Sequence, residues 1–229
     1  TQTWKQTFAY DRYGNRTFDT TANRTTTIPT NCPTMVCNPS VDPATNKLVG
    51  YQFHSAGNTK TDAENRTFVY DAENKQVKVI GSSTTVGEYF YDGDGKRIKK
   101  IVPNGETVIF VYDAGGKLVA EYANQISQTP KVSYLTSDHL GSPRINTDEN
   151  GATISRHDYH PFGEEITTPQ RLPVFGYASD DIRKQFTGYE RDNETDLDFA
   201  EARYYNPMHG RFTAVDPLFN SSQASNPQT

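Results

Sequence analysis

Residues 68–117 read FVYDAENKQVKVIGSSTTVGEYFYDGDGKRIKKIVPNGETVIFVYDAGGK. One unit recurs in this stretch: aromatic, any residue, aromatic, Asp, a turn, a basic residue and a second strand-like run. It stands as Phe68-Val69-Tyr70-Asp71, Tyr89-Phe90-Tyr91-Asp92 and Phe110-Val111-Tyr112-Asp113, with the tyrosines at 70, 91 and 112 spaced 21 residues apart. Outside the stretch, Phe8-Ala9-Tyr10-Asp11 repeats the pattern, and Tyr51-Gln52-Phe53-His54 is a worn copy with His in place of Asp. A period of this length marks a repeat architecture. Residues two apart on a strand share a face, so each aromatic pair sets two rings on one side, where neighbouring repeats can stack them. The Asp at the strand end can accept from backbone two residues on and open a turn that Gly completes with positive φ. Asp92-Gly-Asp-Gly95 and Asp113-Ala-Gly-Gly116 are such turns, and Pro103-Asn-Gly105 turns the other end of the unit. The spacing predicts an all-β, antiparallel hairpin meander with strands of about seven to eight residues, roughly 25 Å long. No segment carries a sustained helical period.

Composition agrees with an ordered β protein. Of 229 residues only 34% are hydrophobic, yet 14 Tyr and 12 Phe supply large buried surfaces. Lys and Arg recur mainly after turns, where solvated strand faces are expected. The net charge of -5 argues against a nucleic-acid partner. No apolar run is long enough for a membrane span. Cys32 and Cys37, with four residues between them, stand within a Thr/Asn/Pro-rich insertion at about 20–47, expected to protrude from the sheet. Their spacing suits a disulfide-closed loop in an oxidising compartment, with free thiols as the alternative; a metal site would need further ligands, and none is near.

The Tyr-Asp units resemble the YD repeats of the RHS (rearrangement hot spot) proteins, whose relatives include toxin-complex subunits and teneurins. From Tyr134 the pattern changes, and the new motifs resemble the RHS repeat-associated core. Those motifs contain Asp138, His139, Gly141 and Arg144; Pro161, Phe162 and Gly163; Gly188; Arg203, Tyr204, Tyr205 and Pro207; Gly210, Arg211 and Phe212; and Asp216 with Pro217. The resemblance implies a β-strip that winds into part of a curved or closed shell, at times around a C-terminal toxin. The expected organisation is a YD-repeat region at 1–132, the core at 133–219 and a polar tail at 220–229. It further implies an extracellular or cell-surface protein whose partners are copies of itself, the remainder of a longer shell or an enclosed toxin.

Several residues invite a chemical reading. His157, Asp158 and His160 could ligate zinc, but alternate strand faces and Pro161 make structural use the expectation. Asp138-His139-Leu140-Gly141 reads as a buried, hydrogen-bonded turn, and Ser142 beside it is a poor triad candidate because sequence neighbours do not face one another. Asp92-Gly-Asp-Gly95 lacks the distal Glu of a calcium loop. Toxin-carrying relatives resemble aspartyl autoproteases, and Asp216 matches one acidic position. Residues 219–229 hold no second Asp, so catalysis by Asp216 is not expected in this stretch. No cofactor or metal is expected. The expected function is a structural shell or assembly module; the alternatives are an autoprocessing, toxin-enclosing core with Asp216 catalytic and a glycan-binding surface module.

Overall fold

The computed structural model describes residues 4–21, 24–125, 132–166, 177 and 180–217. The expected tail at 220–229 lies outside these residues. Strands β1 (Phe8–Tyr10) and β2 (Arg16–Phe18) form a small hairpin, followed by one helical turn, α1 (Thr34–Cys37). The main sheet has eight strands in sequence order: β3 (Gln52–Phe53), β4 (Thr59–Thr61), β5 (Thr67–Tyr70), β6 (Gln76–Gly81), β7 (Thr84–Tyr91), β8 (Arg97–Ile101), β9 (Thr107–Tyr112) and β10 (Leu118–Ala123). Two smaller sheets follow. One holds β11 (Ser133–Ser137), β12 (Pro143–Asp148) and β13 (Thr153–Arg156). The other holds β14 (Glu190–Asp192), β15 (Leu197–Ala200), β16 (Arg203–Asn206) and β17 (Arg211–Phe212). The fold is an antiparallel β-meander. Its strands are mostly shorter than the seven to eight residues expected, with β7 alone reaching eight in the main sheet, because the Asp turns take up more of each repeat.

The turn chemistry follows from the Asp side chain. Asp71 Oδ1 accepts from the amides of Glu73 and Lys75, each at 2.9 Å, while Asp71 N donates to Lys75 O. Asp92 and Asp113 repeat this arrangement on the residues two and four ahead. Gly95 completes its turn at φ +78°, a conformation that costs a residue with a Cβ about 1–2 kcal/mol. The same side-chain pattern recurs at Asp11, Asp62, Asp138 and Asp148. His54 keeps the backbone pattern without the carboxylate: its amide donates to Asn58 O at 2.9 Å. At Pro103-Asn-Gly105 the positive φ falls on Asn104, giving a type II turn with Pro in its favoured place.

The aromatic pairs sort by depth. Phe68, Tyr89 and Phe110 are buried, whereas Val69, Phe90 and Val111 between the paired rings are exposed. Tyr70, Tyr91 and Tyr112 share the inner face but are half-buried. The expected ring-on-ring ladder is replaced by lysines. Lys75 Nζ lies 5.6 Å from the Tyr91 ring centroid, and Lys96 Nζ lies 5.5 Å from that of Tyr112. The hydroxyls then tie repeat to repeat: Tyr91 donates to Gln76 O at 2.7 Å and Tyr112 to Arg97 O at 2.9 Å. Tyr10 is no part of this row; it sits exposed in the β1–β2 hairpin.

The β14–β17 sheet covers the inner face of the meander. Leu197 and Tyr204 join Phe68, Val79 and Tyr89 in one buried cluster, with Tyr70, Tyr91 and Phe199 packed around it. Each fully buried large apolar side chain contributes about 1.5–3 kcal/mol. The insertion is docked, contrary to the expectation that it protrudes. Cys37 is buried and bridged to Cys32. Asn38 exchanges two hydrogen bonds with the Phe18 backbone, and Val36 O lies 2.7 Å from His209 Nε2. These polar anchors hold the loop where its composition alone suggested solvent.

Candidate functional site

Where β14 meets β8, five ionisable side chains are sealed from solvent. Arg97, Lys100, Glu190, Asp192 and Glu194 are each at most 7% exposed. Lys100 Nζ stands 2.9 Å from Asp192 Oδ1 and 3.6 Å from Glu194 Oε2. Arg97 donates through Nη1 to Asp192 Oδ2, faces Glu190 at 3.0 Å and receives the Phe199 ring at 4.1 Å from its centroid. Tyr89 OH donates to Glu194 Oε1 at 2.9 Å, and Tyr204 OH lies 3.1 Å from Arg97. Burial pushes both Glu190 and Glu194 above the ordinary carboxylate range. The solvated strand face expected for basic residues is therefore wrong at Arg97 and Lys100. Strand β8 is inverted, charges inward and Ile98 outward, because β14 brings carboxylates to meet them.

A second buried group gathers at the end of β13. His157 Nδ1 lies 2.8 Å from Glu165 Oε1, and its Nε2 lies 3.1 Å from Asp180 Oδ2 and 3.3 Å from Ser155 Oγ. The carboxylates raise the His157 pKa, Glu165 contributing most, and so favour the imidazolium. An imidazolium donating from both nitrogens cannot take a proton from Ser155, which itself bonds to Asp180. This is a tie between segments, not a nucleophile and base.

The three residues considered for zinc diverge. His157 turns to Glu165 and Asp180, Asp158 meets Arg144 and Tyr177, and His160 sits edge-on to Trp4. The Asp138 turn forms with Gly141 at φ +85°, but His139 and Leu140 are exposed; the expected burial is wrong because the turn is a hairpin tip between β11 and β12. Ser142 Oγ accepts from Thr187 N at 2.9 Å. The core motifs interlock: Phe162 packs on Phe8 and on the Arg16 guanidinium, and Tyr205 OH donates to Phe162 O at 3.0 Å. A Cβ on Gly163 would meet the Phe186 ring at 2.8 Å, so that turn admits only glycine. Gly188, beside Phe186, lies at φ +76°, and Pro207 is buried. Arg211 reaches Asn46 O at 3.4 Å. Arg203 stacks on Phe212 and binds Asp216 at 2.9 Å, while Pro217 is exposed.

A family profile described as Teneurin YD-shell matches residues 1–229. The chain belongs to the teneurin YD-shell family. The crystal structure of TcdB2-TccC3 superposes with a TM-score of 0.65 at 22% identity, covering 93% of this chain and 12% of that one, and so shares the YD-shell fold. The tRNA nuclease WapA of Bacillus subtilis is 34% identical over 74 residues, which are 31% of this chain and 3% of WapA. The toxin protein Tse5 of Pseudomonas aeruginosa is 33% identical over 88 residues, 38% of this chain and 6% of Tse5. The chain therefore spans a small part of each relative.

Within this YD-shell chain the ionic cluster went unseen in the sequence. Its signal is the pairing of an inward-facing Arg-x-x-Lys at 97–100 with Glu-x-Asp-x-Glu at 190–194. Among the described residues, no helix is long and apolar enough to cross a membrane, and no group of three or more His, Cys, Asp or Glu is arranged to hold a metal ion.

Proposed function

We propose that this chain is a structural, non-catalytic segment in the wall of a larger extracellular shell, and that the wall continues through its sheet edges. The observation that carries this reading is the repeat-to-repeat tie, in which Tyr91 and Tyr112 each bond a carbonyl of the preceding repeat. Such a wall extends by adding strands. The outermost strand β10 presents Val119 and Tyr122, both more than half exposed; an edge of this kind accepts a further strand. A structural role also accords with Asp216 being engaged by Arg203 and with buried carboxylates that answer the protein's own cations. Relatives named as toxins support a wall that encloses a toxic segment, and that cargo would be carried outside the producing cell.

Light scattering and intact mass on the purified 229-residue chain test the reading together. The expected result is concentration-dependent assembly with no self-cleavage at Asp216-Pro217. A monomer at every concentration would refute edge-driven assembly, and a cleaved product would refute the non-catalytic assignment.

A further inference from the structure

The approach of Lys100 to Asp192 has the features of a reaction site. Nζ lies 2.9 Å from Oδ1, with the two side chains 3% and 0% exposed. Glu194 Oε2 lies 3.6 Å from the same Nζ, and Arg97 Nη1 donates to the other carboxylate oxygen of Asp192. An amine, a carboxyl group, a nearby proton carrier and a cation on the carboxyl oxygen are the parts that amide formation requires. We propose that Lys100 and Asp192 condense into an intramolecular amide bond that staples β8 to β14.

The step balances without a co-reactant. The Lys100 ammonium passes a proton to Glu194, and the freed amine attacks Asp192 Cγ, forming the C–N bond. Negative charge on Oδ2 in the tetrahedral intermediate faces Arg97. Glu194 returns its proton to Oδ1, and the nitrogen loses its second proton to the same oxygen as the C–Oδ1 bond breaks and water leaves. One ammonium and one carboxylate thus become one amide and one water, with no net change in protons and no oxidant.

Burial drives this direction. Two charges held out of water cost several kcal/mol each unless fully compensated, and the amide is neutral. Burial raises the Glu194 carboxyl, which suits it to carry the proton between the two groups. Holding both groups in contact replaces an encounter in solution, worth several orders of magnitude in rate. The bond would close a loop between residues 92 apart in sequence, beyond the reach of any local turn.

The test is the intact mass of the full chain after reduction of its disulfide, followed by peptide mapping. The expected species is lighter than the sequence by one water, and its digest contains one branched peptide joining Lys100 to Asp192. A single proteolytic cut between residues 101 and 191 should leave both fragments joined in SDS. Lys100→Arg, which keeps the cation but cannot condense, should restore the full mass; Glu194→Gln should slow or abolish the loss. A succinimide at Asp92-Gly93 also loses water, so hydroxylamine treatment separates the two. An unmodified mass in the wild-type chain, or a water loss that hydroxylamine reverses, overturns the proposal whatever the variants do.

Discussion

Replacing Arg97 by Met tests whether the meander and the β14–β17 sheet are joined through buried charge. The guanidinium is 1% exposed, faces Asp192 and Glu190, and takes the Phe199 ring at 4.1 Å from its centroid. Removing one partner of a buried ion pair costs about 3–5 kcal/mol, since the charge left behind has lost both water and partner. Glu190, 3.0 Å away, is the carboxylate left without its nearest cation, which places the ionic loss at about 3 kcal/mol. The lost cation–π contact adds about 1 kcal/mol, for an expected total of about 4 kcal/mol. Urea unfolding at pH 7, followed by tyrosine fluorescence, measures the loss. Adding Glu190→Gln to the Arg97→Met chain should recover part of it, because the two groups lie 3.0 Å apart and their effects are coupled. A loss below about 1 kcal/mol would refute the reasoning, as would strict additivity of the two changes.

Three further outcomes are expected. Tyr91→Ala should cost about 3 kcal/mol, the lower end for aromatic truncation given its half-buried ring, whereas Phe90→Ala on the outer face should stay within about 0.5 kcal/mol; equal costs in urea unfolding would invert the face assignment. Two buried groups should set opposing pH slopes. Burial raises Glu164 from 4.5 to about 7, so its contribution is fully present below pH 4.5 and is lost as pH rises through 7. Burial lowers His209 from 6.5 to about 4, so its contribution is present above pH 6.5 and lost as pH falls through 4. Glu164→Gln should therefore make stability rise more steeply between pH 4.5 and 6.5, and His209→Gln should make it fall there; variants that keep the parental slope would contradict both assignments. Finally, alkylation without reductant should leave Cys32 and Cys37 unmodified, and quantitative labelling would exclude their bridge.

The legible part of this fold is the part made by near neighbours. Asp71, Asp92 and Asp113 each satisfy amides two and four residues ahead, so the turn is written within five consecutive residues. The strand faces followed from the aromatic spacing, with Phe68, Tyr89 and Phe110 inward. Contacts between distant segments were not legible. Lys100 and Asp192, or His157 and Asp180, carry no local pattern that pairs them, and a basic residue after a turn looks solvated until its acidic partner is placed. The docking of the Cys32–Cys37 loop escaped for the same reason, since it depends on His209 and the Phe18 backbone. Of the core motifs, Gly163 against Phe186 explains why a glycine stands there, which the sequence could mark but not explain.

Electron cryo-microscopy of the protein translated from the complete reading frame tests the shell-wall account most directly. The account predicts that β3–β10 appear as consecutive strands within a longer continuous sheet, its inner face covered by β14–β17 and its β10 edge paired to a further strand. A structure in which residues 52–123 form an isolated sheet, with both edges in solvent and no wall continuing from either, would contradict it.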